Sequence, residues 1–162
     1  MNRSTWRAAP DRPVPDDVAR LLRTVPEWFG QPEANAEYIE AARTMETWTV
    51  RDAEGAVVGV ILVDRHFPAV AEIHLTVVDR AFHGAGVGTA MLSAIEADAL
   101  RRGVRLLEVK TLGPSHPDLG YARTRHFYET TGFLPLEETD LWGVETPCLI
   151  MVKLLAPPAG SA

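Results

Sequence analysis

The chain has 162 residues, 46% of them apolar and 23% charged, and sets 16 Lys and Arg against 22 Asp and Glu for a net charge of −6 with its five His neutral. That length suits one domain, since domains hold about 100–200 residues, and that composition rules out disordered, collagen-like and disulfide-stapled chains. Nucleic acid is not an expected partner, because no cluster of Lys and Arg is present to displace counterions from a phosphate backbone. A net negative surface mildly favours cationic substrates, although such a charge is also ordinary for solubility.

Cys148 is the one cysteine, so an internal disulfide cannot form and no Cys/His metal spacing exists. His66, His116 and His126 have no metal-like spacing either, and no metal is expected. A single thiol fits a reducing compartment. The first residues lack the apolar stretch of a secretory signal, and no window approaches the ~18 apolar residues of a membrane span. A cytoplasmic location with no membrane partner is therefore the expectation.

In chain order, Ser4 to Ala8 reads as a short strand. Pro15-Asp16-Asp17 is helix-start chemistry, and Val18, Leu21, Leu22 and Val25 follow at helical spacing until Pro26 stops them. A second helix covers about Pro32 to Thr44, with Tyr38, Ile39, Ala42 and Met45 on one stripe. Thr47 to Asp52, the turn Ala53-Glu54-Gly55 and the apolar run Val57 to Val63 read as a hairpin. Val70 to Val78 is another strand, Phe82 to Gly88 a glycine-studded loop, and the next helix ends at Arg101-Arg102 with Gly103 beyond it. Val104 to Thr111 is a strand, Asp118 to Thr131 a helix closed by Gly132, and Cys148 to Leu155 a last strand. An eleventh element, a strand before that one, has no clear bounds. Residues 1–155 read as a single domain mixing strands and helices around one sheet, and residues 156–162 as a flexible tail.

Gly84, Gly86 and Gly88 fall between a strand and a helix, where bare backbone N–H groups and the positive end of the helix dipole suit an anion. The GK[ST] ending of a phosphate-binding P-loop is missing, and Thr89 stands where a dinucleotide fingerprint needs Gly.

The run His83-Gly84-Ala85-Gly86-Val87-Gly88 resembles the Q/R-x-x-G-x-G/A pyrophosphate loop of the GNAT acetyltransferase superfamily, with His83 in place of the usual Gln or Arg. A second segment, Phe127-Tyr128-Glu129-Thr130-Thr131-Gly132-Phe133, looks like that family's helix ending F/Y-Y-x-x-x-G-F. The family often has Asn seven residues before the Tyr, where this chain has Tyr121. The resemblance also covers the order of elements from about residue 4 to 155. It implies an α/β (α+β mixed) three-layer fold with a mostly antiparallel, twisted sheet of six to seven strands, about four helices, and a splay between strands 4 and 5. It further implies acetyl-CoA as co-substrate, with the pyrophosphate on His83, Gly84, Ala85, Gly86, Val87, Gly88 and Thr89. The pantetheine amides would pair with the strand edge at Thr76, Val77 and Val78.

Acetyl transfer to an amine needs a neutral amine and a proton for the departing thiolate. Glu72 lies eleven residues before His83, where several family members resemble it with a catalytic Glu, and His74 shares its face of the strand. Either is a candidate base. Tyr128, a phenol protonated at neutral pH, is the candidate acid. Cys148 reads as inert core. Trp28 and Phe29, between the first two helices, and Trp142 are candidates for the acceptor side, packed as core or lining a pocket; Glu27 and Glu33 lie near the first two. The leading reading is an N-acetyltransferase for a small-molecule amine, acting as a monomer or a homodimer. A peptide or protein amine acetyltransferase and a non-catalytic acyl-CoA sensor stay open.

Overall fold

Residues 5–156 are described by the structure, a computed structural model, and they form seven strands and four α-helices. The strands are β1 (Ala8–Asp11), β2 (Glu46–Arg51), β3 (Val57–Phe67), β4 (Val70–Val78), β5 (Leu106–Leu112), β6 (Leu134–Thr139) and β7 (Cys148–Leu154). The helices are α1 (Pro15–Thr24), α2 (Pro32–Ala41), α3 (Val87–Arg101) and α4 (Tyr121–Thr130). The strand order is β1-β2-β3-β4-β5-β7-β6, parallel at β4–β5 and antiparallel at β1–β2, β2–β3, β5–β7 and β6–β7. Two compact units divide the chain: the first runs to Asp64 and resumes over His74–Asp98, and the second holds Arg65–Ile73 and the chain from Ala99. No helix among the described residues is long and apolar enough to cross a membrane.

In the first unit the helix-start chemistry works as the sequence implies. Pro15 occupies the first turn of α1, Asp16 and Asp17 complement its positive end, and Arg23 its negative end. Val18, Leu21 and Leu22 are buried with Val57, Val60, Leu62, Leu75 and Val77, and covering each Leu is worth about 1.5–3 kcal/mol. On β3, Gly59 points opposite to Val60. A Cβ at Gly59 would lie 2.7 Å from Val87 Cγ1 and 3.2 Å from Met91 Sδ, so α3 packs on that opposite face at a distance only glycine permits. Helix, sheet and helix thus make three layers here.

In the second unit β5 is central, pairing Val70–Ile73 of β4 on one side and β7 on the other, from Leu106↔Leu154 to Leu112↔Cys148. Leu107, Val109, Cys148, Leu149 and Met151 are buried. At the far edge, β6 is exposed at every position but Thr139.

Several expected bounds move. The first strand lies at Ala8–Asp11 instead of Ser4 to Ala8, and Ser4 is outside the described residues. Its register is fixed by polar contacts that leave no hydrophobic pattern: Asp11 Oδ2 accepts from Thr49 Oγ1 and Arg51 Nη2, each at 2.7 Å. The second helix stops at Ala41, and the fourth starts at Tyr121, because Asp118 accepts from the Gly120 N–H at 2.7 Å in a turn ahead of the helix. The strand without clear bounds is β6. Of the expected tail, Ala156 is described and residues 157–162 are outside the described residues.

Candidate active site

Beyond Val78, Asp79 accepts from the Ala81 N–H at 2.9 Å and closes a short 3-10 turn over Arg80–Phe82. The glycine loop follows. Gly84 and Gly86 hold φ of +75° and +93°, a left-handed backbone that disfavours other residues, and a Cβ built on either meets nothing within 4 Å. Ala90 donates to the Gly86 carbonyl at 3.0 Å, the first bond of α3. The N–H groups of Val87, Gly88 and Thr89 therefore have no acceptor within the helix, and the helix dipole adds to their positive potential. Open space above two left-handed glycines, bordered by such donors, suits a phosphate group approaching the backbone. Trp6, missed in the sequence reading, holds the loop from outside: its indole Nε1 donates to the Ala85 carbonyl at 3.0 Å, and its ring meets Phe82 edge-on at 5.5 Å.

The segment between α1 and α2 is tied to the same loop. Arg80 donates through Nε to the Thr24 carbonyl at 2.8 Å and through its backbone N–H to Thr24 Oγ1 at 3.2 Å, and its guanidinium pairs with Glu27. The Glu27 carboxyl sits below its usual range through a backbone hydrogen bond first and the Arg80 contact second. Trp28 lies 5.5 Å from the His83 ring, Phe29 meets Tyr38 at 5.7 Å, and Tyr38 meets His74 at 5.6 Å. His83 Nε2 is 2.9 Å from the Val78 carbonyl. Trp28, Phe29 and Tyr38 are half-buried against the α1 core. On β4, His74, Thr76 and Val78 are partly exposed and alternate with buried Leu75 and Val77. The structure thus gathers Trp28, Phe29, His74, His83 and the glycine loop within one unit.

In the second unit Glu72 is only 7% exposed, and both its carboxylate oxygens are engaged. Oε1 accepts from Lys110 Nζ at 2.9 Å, and Oε2 lies 2.7 Å from His66 Nε2. Lys110 Nζ also lies 3.1 Å from Glu108 Oε1. The register that pairs Glu72 with Glu108 puts Glu108 and Lys110, two apart on β5, on the face of Glu72. Burial pushes the Glu72 carboxyl up, but hydrogen bonds from Lys110 and His66 and their charges outweigh it and hold the group below its ordinary range. Burial likewise pulls Lys110 down, and its two carboxylate partners more than restore it. Sequence spacing gives His66 no metal role, and its pairing with Glu72 arises because the turn at Pro68-Ala69 folds β3 back beside β4.

Tyr128, 5% exposed, lies between Phe127 and Phe133, each ring 5.3 Å away, and its carbonyl accepts from the Phe133 N–H at 2.9 Å where α4 ends. Trp142 is 42% exposed in the segment between β6 and β7. Cys148 is fully buried, and burial pushes its thiol up, away from nucleophile chemistry. Among the described residues no group of three or more His, Cys, Asp or Glu could hold a metal ion.

Residues 16–133 match the family model described as the Acetyltransferase (GNAT) family, and the chain belongs to that family. No curated protein sequence matches it significantly. Solved structures share the fold. A GNAT-family protein from Desulfovibrio desulfuricans superposes with a TM-score of 0.75 at 20% identity, over 94% of this chain and 100% of that one. A GNAT family acetyltransferase from Elizabethkingia anophelis with acetyl-CoA bound gives 0.69 at 15% identity, over 94% and 99%. The aminoglycoside 6'-acetyltransferase type Ii gives 0.68 at 24% identity, over 93% and 97%.

Proposed function

We propose that the protein is an acetyl-CoA-dependent N-acetyltransferase that acts on a primary amine of a small molecule. The observation that carries this reading is the glycine loop: two left-handed glycines with open space above them, followed by three helix-start N–H donors. Those residues fit a pyrophosphate, so Gly84 to Thr89 would hold that part of acetyl-CoA, and the backbone of Thr76 to Val78 would pair with the pantetheine amides. When bound, acetyl-CoA supplies the activated acetyl thioester. The phenol of Tyr128, protonated at neutral pH, gives a proton to the leaving sulfur.

An alkylamine of pKa ~10.4 is neutral in only about one molecule in 2500 at pH 7, so a proton acceptor near the amine is needed. The titratable side chains of β4, His74 and the Glu72 cluster, supply it. Trp28 and Phe29, with Tyr38 beside them, form the wall for the acceptor, and Trp142 is a further aromatic for the same role. An aromatic face attracts an ammonium by about 0.5–2 kcal/mol, and the net charge of −6 favours a cationic acceptor over an acidic one. The likeness to an aminoglycoside acetyltransferase supports a polyamine or amino sugar.

Calorimetry with acetyl-CoA tests the loop. Gly86→Glu is expected to weaken binding at least tenfold by filling the phosphate space. Gly55→Glu is the control for backbone strain, because Gly55 has a similar φ of +87° in the turn between β2 and β3, also with nothing within 4 Å. Equal affinity in wild type and Gly86→Glu, or equal loss in both variants, contradicts the assignment.

A further inference from the structure

His83 stands one residue ahead of Gly84, at the entrance to the glycine loop, and its exposed ring is held by two contacts. A carbonyl oxygen can only accept a hydrogen bond, so at 2.9 Å the proton between His83 Nε2 and the Val78 carbonyl belongs to the imidazole. That leaves Nδ1 to gain or lose the second proton, and the bond to Val78 survives in either form. The Trp28 ring lies 5.5 Å from the imidazole, tilted by 37°, and an aromatic face favours the cationic form. An imidazole changes its charge between about pH 5 and 8, the range in which other side chains ordinarily keep theirs. The charged groups around His83 come from two elements. The Glu27 carboxyl, in the segment between α1 and α2, is held below its usual range by a backbone hydrogen bond first, then by Arg80, with a smaller contribution from the charge of His83. Asp79 and Arg80 belong to the turn that leads to His83, and Asp79 pairs with Arg20 of α1 at 3.6 Å. Helix α3 brings no charged side chain before Glu96. All these residues and the glycine loop lie in one compact unit.

We propose that His83 gives the glycine loop a side-chain charge governed by one proton, so that acetyl-CoA binds the imidazolium form more tightly and its binding draws a proton from solvent onto Nδ1. This rests on the acetyl-CoA reading of the loop above. With the loop empty, the positive end of α3 opposes a further positive charge beside it. A bound pyrophosphate reverses that field, because its two negative charges lie on the N–H groups that follow His83. At ~3.8 Å per residue, at most about 11 Å separates the Cα atoms of His83 and Gly86. That is close to the Debye length of about 10 Å at 0.1 M salt, so the attraction is only partly screened. Coulomb's law at such a range makes the imidazolium form bind about twofold to tenfold more tightly than the neutral one. Affinity is therefore highest below the imidazole range and falls as pH rises through it. Because Val78 accepts from Nε2 in both forms, the ring changes its charge without moving.

Two measurements on the full chain test the linkage. Calorimetry uses 3'-dephospho-CoA as the probe, because its pyrophosphate keeps its charge across neutral pH, whereas a phosphate monoester such as the 3'-phosphate of acetyl-CoA titrates near about pH 6. Wild type should bind this probe about twofold to tenfold more tightly at pH 6 than at pH 8, and the binding heat should change with the buffer as a proton is taken up. His83→Gln should bind weakly at both pH values, and His83→Arg, with its permanent charge, tightly at both. In nitrogen–proton NMR, the His83 imidazole should titrate at a higher pH with the probe bound than without it. An equal pH slope in wild type and His83→Gln, or a His83 titration that the probe leaves in place, overturns the proposal and leaves the loop assignment standing. Wild type that binds neither this probe nor acetyl-CoA overturns the loop assignment, and the linkage falls with it.

Discussion

The indole of Trp28 lies against the imidazole of His83, with ring centroids 5.5 Å apart and planes 37° from parallel. One ring comes from the segment between α1 and α2, the other from the entrance to the glycine loop. From sequence alone Trp28 either packs as core or lines a pocket on the acceptor side, and in the second case its removal would raise KM for the amine and spare acetyl-CoA. The contact changes that expectation. Trp28→Ala should raise KM for the amine and also weaken acetyl-CoA binding about twofold to tenfold, the size of an aromatic pair worth 0.5–1.5 kcal/mol. Calorimetry with acetyl-CoA checks it; unchanged affinity would reduce the ring pair to a passive contact.

Tyr128 separates packing from chemistry. Tyr128→Phe keeps the ring between Phe127 and Phe133. Acetyl-CoA affinity should therefore survive while kcat falls ~10²-fold, the usual worth of acid–base help. Full turnover in this variant would make Tyr128 a core residue.

Gly59 limits how closely α3 approaches β3. A methyl group there meets Val87 Cγ1 at 2.7 Å, and a branched side chain in a helix has little freedom to move aside. Gly59→Ala is expected to cost about 1–3 kcal/mol by overpacking, read as a lower melting temperature and urea midpoint. Because Val87 opens α3 just after the glycine loop, acetyl-CoA affinity should fall as well. Wild-type stability would show that the two elements separate freely.

The Glu72 carboxyl lies below its ordinary value of 4.5 in the folded chain. A depressed carboxyl contributes stability that is present above the unfolded value and lost as pH falls through the folded one. Lys110 is raised, so its contribution is lost only as pH climbs past the ordinary lysine range. The melting-temperature gap between wild type and Glu72→Gln should accordingly be level through neutral pH and close below about pH 4.5. A gap that widens in acid would mean that Glu72 is not held ionised by its partners.

Where hydrophobic period sets an element, the sequence shows it plainly. β4 runs Val70–Val78 as the pattern requires, and α1 begins at Pro15. β6 escapes because an edge strand has no buried face to write an alternation: Leu134 and Leu136 are 65% and 61% exposed, with Pro135, Glu137 and Glu138 among them. The glycine loop is legible because left-handed turns call for glycine at particular positions. The supports around it are long-range pairings that only the folded chain brings together: Trp6 with Ala85, 79 residues apart, and Arg80 with Glu27, 53 apart. His66 escapes for a related reason, since its pairing with Glu72 depends on the turn that brings the two together.

Amine-dependent thiol release from acetyl-CoA, followed with mass analysis of the amine, tests the central claim most directly. A panel of polyamines, amino sugars and short peptides should give stoichiometric free thiol and acetylated amine, best with a small cationic amine, and the signal should disappear in Gly86→Glu. Tight acetyl-CoA binding with no thiol released for any amine in the panel would contradict the account and mark the chain as a binder of acyl-CoA.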